Sequence, residues 1–253
     1  MSRGAVRIDE VADGVFVAVG SLVNWTIIRD GRELTLVDGG FPGDRRRVLA
    51  SIESLGHSPQ DVRAILGTHA HVDHIGAFEH FVRHFGTPVH MSGIDAFHAE
   101  KGDYEQASPG EIARHLGNPR VLPWALRVLS VGGSGRPTVP ETHGFDTLRP
   151  LDVPGRPVPV SCPGHTYGHV AFHLPERGVL LAGDAIATGH PVSAISGPQL
   201  LPDFFAADAE RAEKSLGALA KLSADVLVCG HGEPWSGSPA GAVEIALDRH
   251  RNR

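Results

Sequence analysis

Residues 69–74 read His-Ala-His-Val-Asp-His, placing three imidazoles and a carboxylate within six positions. These are the side chains that bind zinc and non-haem iron. In extended backbone His69 and His71 project to the same side and Asp73 continues that side, while His74 points elsewhere. One short loop can therefore serve two neighbouring metal ions. The chain carries 16 histidines, so the cluster alone would also fit a His-rich surface loop. Three further segments weigh against that. Residues 163–169 read Pro-Gly-His-Thr-Tyr-Gly-His, residues 182–185 Ala-Gly-Asp-Ala and residues 229–232 Cys-Gly-His-Gly. They set His165, Asp184 and His231 at the ends of short apolar runs, beside glycines that let backbone approach a crowded centre. Core packing does not explain four strand ends that each carry His or Asp.

Strands must deliver those ends. Val15–Val19, Leu22–Ile28 and Leu34–Val37 read as strands, with Asp30-Gly31 as a hairpin turn. Arg45 to Leu55 reads as a helix stopped by Gly56. A strand at Val62–Leu66, a helix at Ile75–Phe85 and a strand at Pro88–Met91 follow. Residues 92–146 are irregular and read as an insertion with one or two short helices, able to cover the metal site. Further strands are expected at Thr147–Asp152, Val158–Cys162, Val170–Leu174 and Val179–Ala182. A long loop spans 186–207. Asp208 caps a helix reaching Lys221, Val226–Cys229 is the last ligand-bearing strand, and residues 239–250 form a closing helix. Trp124, Phe204 and Phe205 are candidate walls of an apolar acyl pocket, and Tyr167, beside His165, is a further substrate-binding candidate.

In chain order, Asp38 of Val-Asp-Gly-Gly, then Thr68-His69-Ala70-His71-Val72-Asp73-His74, Gly164-His165-Thr166, Gly183-Asp184 and Gly230-His231-Gly232 resemble the motifs of the metallo-β-lactamase superfamily, over roughly residues 11–235. The resemblance implies an α/β fold, a four-layer αββα sandwich whose two halves bring their ligands to one edge. It implies one such domain over residues 1–253, with the segment at about 92–146 inserted. It implies His69, His71 and His165 on a first metal, Asp73, His74 and His231 on a second, and Asp184 bridging the two. Asp38, Thr68 and His169 would orient the ligand rings. The implied cofactor is two zinc ions, with one iron, mixed iron/zinc or manganese as alternatives. The implied reaction is attack of a metal-bridging hydroxide on the carbonyl of an ester, lactone or thioester, with Asp73 orienting the hydroxide and shuttling its proton.

Departures from individual branches narrow the reading. One subclass of true β-lactamases carries arginine at the position of His74 and cysteine at that of Asp184, and another lacks the bridging aspartate. β-Lactam hydrolysis stays an alternative, as main or side activity. Hydroxyacylglutathione hydrolases share the full ligand set but add a C-terminal helical region that grips glutathione; only residues 232–253 follow His231 here. Several N-acyl homoserine lactonases place a tyrosine three residues after the bridging aspartate, where this chain has Ala187. The rival from another class is a mononuclear iron persulfide dioxygenase. The Arg-Thr-Asp-Phe segment of that family is absent, since Ala187-Thr188-Gly189-His190 stands there.

Bulk properties agree with a small-molecule enzyme. A formal net charge of −6 disfavours a nucleic-acid surface. No apolar run is long enough to span a membrane. Met1 to Glu10 holds no apolar signal core, which fits a cytoplasmic protein. The two cysteines, Cys162 and Cys229, are too few for a disulfide framework and read as small buried hydrophobes. The sequence holds no nucleophile elbow, P-loop or dinucleotide fingerprint.

Overall fold

A computed structural model describes residues 6–20, 22–145 and 148–252. Short runs of Val, Ile, Leu and Phe buried on both faces require cover above and below, and two stacked sheets provide it. The first sheet holds β1 (Arg7–Ala12), β2 (Val15–Val19), β3 (Trp25–Asp30), β4 (Glu33–Val37), β5 (Val62–Leu66), β6 (Val89–Met91) and β7 (His143–Gly144), in that spatial order. It is antiparallel from β1 to β4 and parallel from β4 to β7. The second sheet runs β12 (Trp235–Ser236), β11 (Val226–Cys229), β10 (Val179–Gly183), β9 (Val170–Leu174) and β8 (Val158–Ser161). Only its β10–β11 pair is parallel.

Three buried clusters define four layers. Between the sheets, Val15, Val17, Ile28, Val37 and Leu66 meet Phe172, Leu174, Val179, Leu181 and Val228. The outer face of the first sheet packs with Val48 and Ile52 of α1 (Arg45–Ser54) and Phe78 and Phe81 of α2 (Phe78–Phe85). Ala96 and Ala99 of α3 (Gly93–Lys101) extend the same cluster. Two further helices, α4 (Pro109–Arg114) and α5 (Val121–Ser130), belong to the segment before β7. The outer face of the second sheet is covered by Leu216 and Leu219 of α6 (Ala209–Leu219) and Ala242, Val243 and Ala246 of α7 (Pro239–Arg251). The order is helix, sheet, sheet, helix.

The structure corrects several expected boundaries. The second expected strand starts at Trp25 rather than Leu22. The preceding Asn24 is drawn to the other sheet: its backbone N–H donates to Gly230 O at 2.8 Å, and its Nδ2 donates to Cys229 O and Gly232 O at 3.0 and 2.7 Å. The helix expected from Ile75 starts at Phe78, because residues 71–77 turn tightly, with His74 N and Ile75 N both donating to His71 O. Segment 92–146 contains three helices, not one or two. The expected strand Thr147–Asp152 does not form: Thr147 lies outside the described residues, and Leu148 takes a positive φ of 67°, incompatible with a strand. His143–Gly144 is the edge strand instead. The strands β1 and β12 carry no strong sequence signal and were not expected. Among the described residues, no helix is long and apolar enough to cross a membrane.

Phe172 is fully buried between the sheets, with Phe145 at a ring separation of 5.9 Å. Phe172→Ala should cost ~3–5 kcal/mol in a denaturant-unfolding measurement. A loss below ~1 kcal/mol would contradict a tightly packed inter-sheet core.

Candidate metal centre

The centre lies where strand ends of both sheets meet. The first sheet delivers Asp38 after β4 and the His69–His74 loop after β5. The second delivers His165 and His169 between β8 and β9, Asp184 after β10 and His231 after β11. The His69, His71, His74, His165, Asp184 and His231 side chains are all buried. Three groupings bring donor atoms within 4.8 Å of one another: His69, His71 and His165; His69, His74 and Asp184; and Asp73, His74 and His231. Asp184 spans the set, with Oδ2 3.0 Å from His231 Nε2 and 3.5 Å from His165 Nε2, and Oδ1 3.5 Å from His74 Nε2.

Hydrogen bonds on the far side of each ring decide which nitrogen faces inward. A carbonyl or carboxylate oxygen only accepts, so the ring nitrogen bonded to it carries the proton. His74 Nδ1 donates to Asp38 Oδ2 at 2.8 Å, and His231 Nδ1 donates to Leu22 O at 2.6 Å. Thr68 Oγ1 donates to Asp38 Oδ2 at 2.8 Å and so accepts from His69 Nδ1 at 3.0 Å. These three rings turn Nε2 inward. His71 is reversed: Nε2 donates to Glu105 O at 2.8 Å, leaving Nδ1 facing His165 Nε2 at 3.0 Å. His69 Nε2, His74 Nε2 and Asp184 Oδ1 are buried without any hydrogen-bond partner. Orphaned buried polar atoms are costly, and several converging on one point fit a cation-binding site. The donor set, imidazole with carboxylate, suits zinc, iron or manganese.

Electrostatics divide the rings. Burial, reinforced by the neighbouring His74, His71 and His165 rings, holds His69 well below the usual imidazole range. Burial and His71 do the same to His165. Burial would also lower His74, but the Asp184, Asp38 and Asp73 carboxylates override it and carry that ring well above its usual value. His231 is raised likewise, with Asp184 outweighing burial. Burial would raise the Asp184 carboxyl, yet His231 and His74 hold it well below the ordinary range.

The backbone is shaped to let this happen. A Cβ on Gly230 would sit 2.1 Å from Asp184 Oδ1 and 2.6 Å from His74 Cε1. Gly183 has φ 53°, and a Cβ there would meet His169 Nε2 at 2.7 Å. Asp38 itself adopts φ 60°, a costly conformation for a non-glycine residue. The network it joins holds it there.

The residues expected to orient the centre come together. Asp38 bonds Thr68 and His74 as above. His169 Nε2 accepts the Asp184 backbone N–H at 3.0 Å, and its Nδ1 faces Cys162 Sγ at 3.1 Å. Cys162 and Cys229 are free and buried. A cavity of about 350 Å³ opens on the centre, touching His71, Asp73, His165, Asp184 and His231. Segment 92–146 supplies much of its wall, including Gln106, Ile112, Trp124 and Val128, and Phe205 comes from the 186–207 loop. Two expected pocket residues are not there. Tyr167 is 40% exposed and lies under the Arg211 guanidinium. Phe204 stacks on His115 at 4.0 Å.

Two supporting residues were missed by sequence reading, since a lone acidic residue far from the motifs gives no signal. Asp95, fully buried, accepts the Ala70 N–H at 2.8 Å and the Thr166 hydroxyl at 2.9 Å, tying the loops of His69 and His165 together. Burial pushes its carboxyl up to about 6. Glu105 accepts the His71 ring through its carbonyl and the Tyr167 N–H through its carboxylate. Asp95→Ala should weaken metal retention ~10–100-fold in a chelator competition. Retention equal to wild type would remove Asp95 from the support of the centre.

The sequence profile of the Metallo-beta-lactamase superfamily matches residues 18–231. "Probable metallo-hydrolase YflN" of Bacillus subtilis (strain 168) is 27% identical, over 90% of this chain and 87% of its own. A hydroxyacylglutathione hydrolase of Chromohalobacter salexigens is 30% identical, over 82% of this chain and 60% of its own. Among solved structures, a metallo-beta-lactamase family protein from Thermus thermophilus superposes with TM-score 0.66 at 26% identity, covering 95% of this chain and 80% of that one. A metallo-beta-lactamase from Cronobacter sakazakii shares the fold, with TM-score 0.69 at 18% identity, over 98% of this chain and 96% of that one. On the profile match and the shared fold, the chain belongs to the metallo-beta-lactamase superfamily.

Proposed function

We propose that this protein is a dinuclear zinc hydrolase that cleaves an ester, lactone or thioester carrying an apolar acyl group. The observation that carries this reading is the set of inward-facing, unpartnered His69 Nε2, His74 Nε2 and Asp184 Oδ1 atoms at the base of an apolar-walled cavity. The relatives named metallo-hydrolase and hydroxyacylglutathione hydrolase support the reaction class.

In this reading His69, His71 and His165 would hold one ion, Asp73, His74 and His231 would hold the other, and Asp184 would serve both. When bound, the ions supply an activated water at neutral pH and a Lewis acid for the carbonyl oxygen. The protein does the rest. Asp73 is the most exposed of the ligand side chains, at 18%, against 5% or less for His74, Asp184 and His231. It faces the cavity, and its Oδ2 takes the proton of the attacking water and passes it to the leaving group. Trp124, Val128 and Phe205 exclude water and receive the acyl chain. The hydrogen bonds that the rings donate to Asp38, Leu22 O and Glu105 O keep them from turning.

Elemental analysis of the purified protein should return about two zinc per chain, and a panel of ester, lactone, thioester and β-lactam substrates should show turnover of the first three classes. One iron per chain with persulfide-dependent oxygen uptake would replace this reading with the dioxygenase. Asp184→Ala should lose one metal and lower kcat at least ~100-fold; unchanged activity would refute its bridging position.

Loading should also release protons. His74 and His231 are raised in the metal-free protein, so at a given pH they hold a larger share of protons than free imidazoles, and an incoming cation must displace it. Affinity should therefore rise with pH until those rings are neutral. Calorimetry in buffers of differing ionisation heat checks this, with on the order of one to two protons released per chain. Loading without proton release would contradict the assignment of these two rings.

A further inference from the structure

One imidazole outside the ligand set stands over the centre. The His190 ring packs edge-on against His231 at 4.8 Å, with Phe205 at 5.2 Å and Trp124 at 5.8 Å. It lines the same cavity as Asp73, Asp184 and His165. The backbone N–H of Val192 donates to His190 Nδ1 at 3.2 Å. A nitrogen that accepts an amide hydrogen carries no proton itself, so the ring is neutral and its proton sits on Nε2. His190 Nε2 has no protein hydrogen-bond partner among the described residues. Gln106, Trp124, Ser134 and Arg136 also bring donors to the cavity wall, but none of these side chains packs on a ring of the centre as His190 does.

The loop that carries His190 is held on several sides. Ala187 and Gln199 exchange both backbone hydrogen bonds, at 2.9 and 2.8 Å. The buried Gln199 side chain donates to Ile195 O at 2.7 Å. Thr188 N donates to His231 O at 3.0 Å, and Ser193 N donates to His190 O at 2.8 Å. Asn118 Nδ2 reaches across from the covering segment to Val192 O at 2.9 Å. A donor held this firmly loses little in reorganisation when charge develops in front of it.

We propose that His190 is a catalytic residue whose Nε2–H donates a hydrogen bond to the substrate oxygen on the reacting carbon, stabilising the negative charge that collects there. The role rests on the hydrolase reading above. It needs no titration of the ring, only its fixed tautomer.

The test uses the zinc-loaded full chain and the best substrate of the carbonyl panel, with His190→Phe, which keeps an aromatic ring without the donor, and His190→Gln, which restores an N–H. The phenylalanine variant should lose kcat by ~100-fold with metal content and thermal midpoint unchanged. The glutamine variant should recover to within ~10-fold of wild type. A phenylalanine variant within about twofold of wild-type kcat, or equal losses in both variants, would overturn the assignment. Nitrogen NMR of histidine-labelled protein gives a readout independent of turnover: the Nε2–H tautomer is expected for His190, and an Nδ1–H tautomer would overturn it. Wild-type protein inactive on the whole panel would instead sink the hydrolase reading, and this role with it. An active wild type with an unaffected phenylalanine variant would sink the role of His190 alone.

Discussion

The arrangement depends on buried polar atoms packed together with few partners to spare. His71 Nδ1 and His165 Nε2 stand 3.0 Å apart, and the outer proton of His71 is already committed to Glu105 O, so that contact is a hydrogen bond only while His165 Nε2 carries the proton. His69 Nε2, His74 Nε2 and Asp184 Oδ1 have no partner at all, and buried polar atoms left so are costly. The Asp184 carboxylate favours protons on the surrounding rings: with its acidic neighbours it outweighs burial at His74 and His231, which are raised, whereas burial prevails at His69 and His165, which are lowered. A cation bound among these groups would give the inward atoms the partner they lack. The geometry around the centre is therefore set from outside. His69, His71, His74 and His231 are each turned by a hydrogen bond on the far edge, to Thr68, Glu105 O, Asp38 and Leu22 O.

That outer shell explains several costly local choices. Asp38 accepts the N–H and the hydroxyl of Thr68 and the ring N–H of His74, and to do so it takes a left-handed backbone conformation that disfavours side chains. Asn24 leaves its strand early to clamp the carbonyls on either side of the Gly230-His231 pair. Asp95 is buried with its carboxyl pushed up to about 6, in order to join two loops that come from different sheets. Each of these would be an oddity in a fold without a centre. Together they convert the rigidity of two sheets into fixed positions for the ligand side chains.

Much of this was legible in the sequence. The His69–His74 run and the His165, Asp184 and His231 strand ends are dense, short-range patterns, and the structure brings all of them together. The inner strands, apolar on alternate or on both faces, were placed to within a residue or two, Leu22–Asn24 excepted. The failures share a cause. The strands β1, β7 and β12 are half-exposed edges whose pairing is decided by neighbours distant in sequence, and Leu22–Asn24 follows the second sheet rather than its own pattern. Tyr167 is adjacent to His165 in the chain, but the turn after His165 sends it outward to Arg211. Asp95 and Glu105 were invisible because a single acidic residue has no periodicity; only the fold reveals that it faces Ala70 or Tyr167.

The cavity wall obeys different physics from the centre. Of α5, only Val121 is fully buried; Trp124, Ala125, Val128 and Leu129 line the cavity, and Leu122, Leu126 and Leu129 are more than half exposed. The helix is anchored by a small cluster around Phe41 and Val72 and by the bond from Gly43 N to Val131 O at 2.8 Å. A segment with so little buried stripe can change its side chains, or shift, without disturbing the sheets. Ligand atoms, by contrast, come from strand ends and short loops locked by buried hydrogen bonds, where a substitution leaves a charge or an N–H unpaired. The centre is thus fixed by the scaffold, whereas the cavity wall is a lightly held cover. His190 lies between the two regimes, hydrogen-bonded like the centre and packed against Trp124 and Phe205 of the cover. The packing of Trp124 and Phe205 on His190 and the Val192 N–H bond to its Nδ1 thus link the shape of the cavity wall to the orientation of the ring.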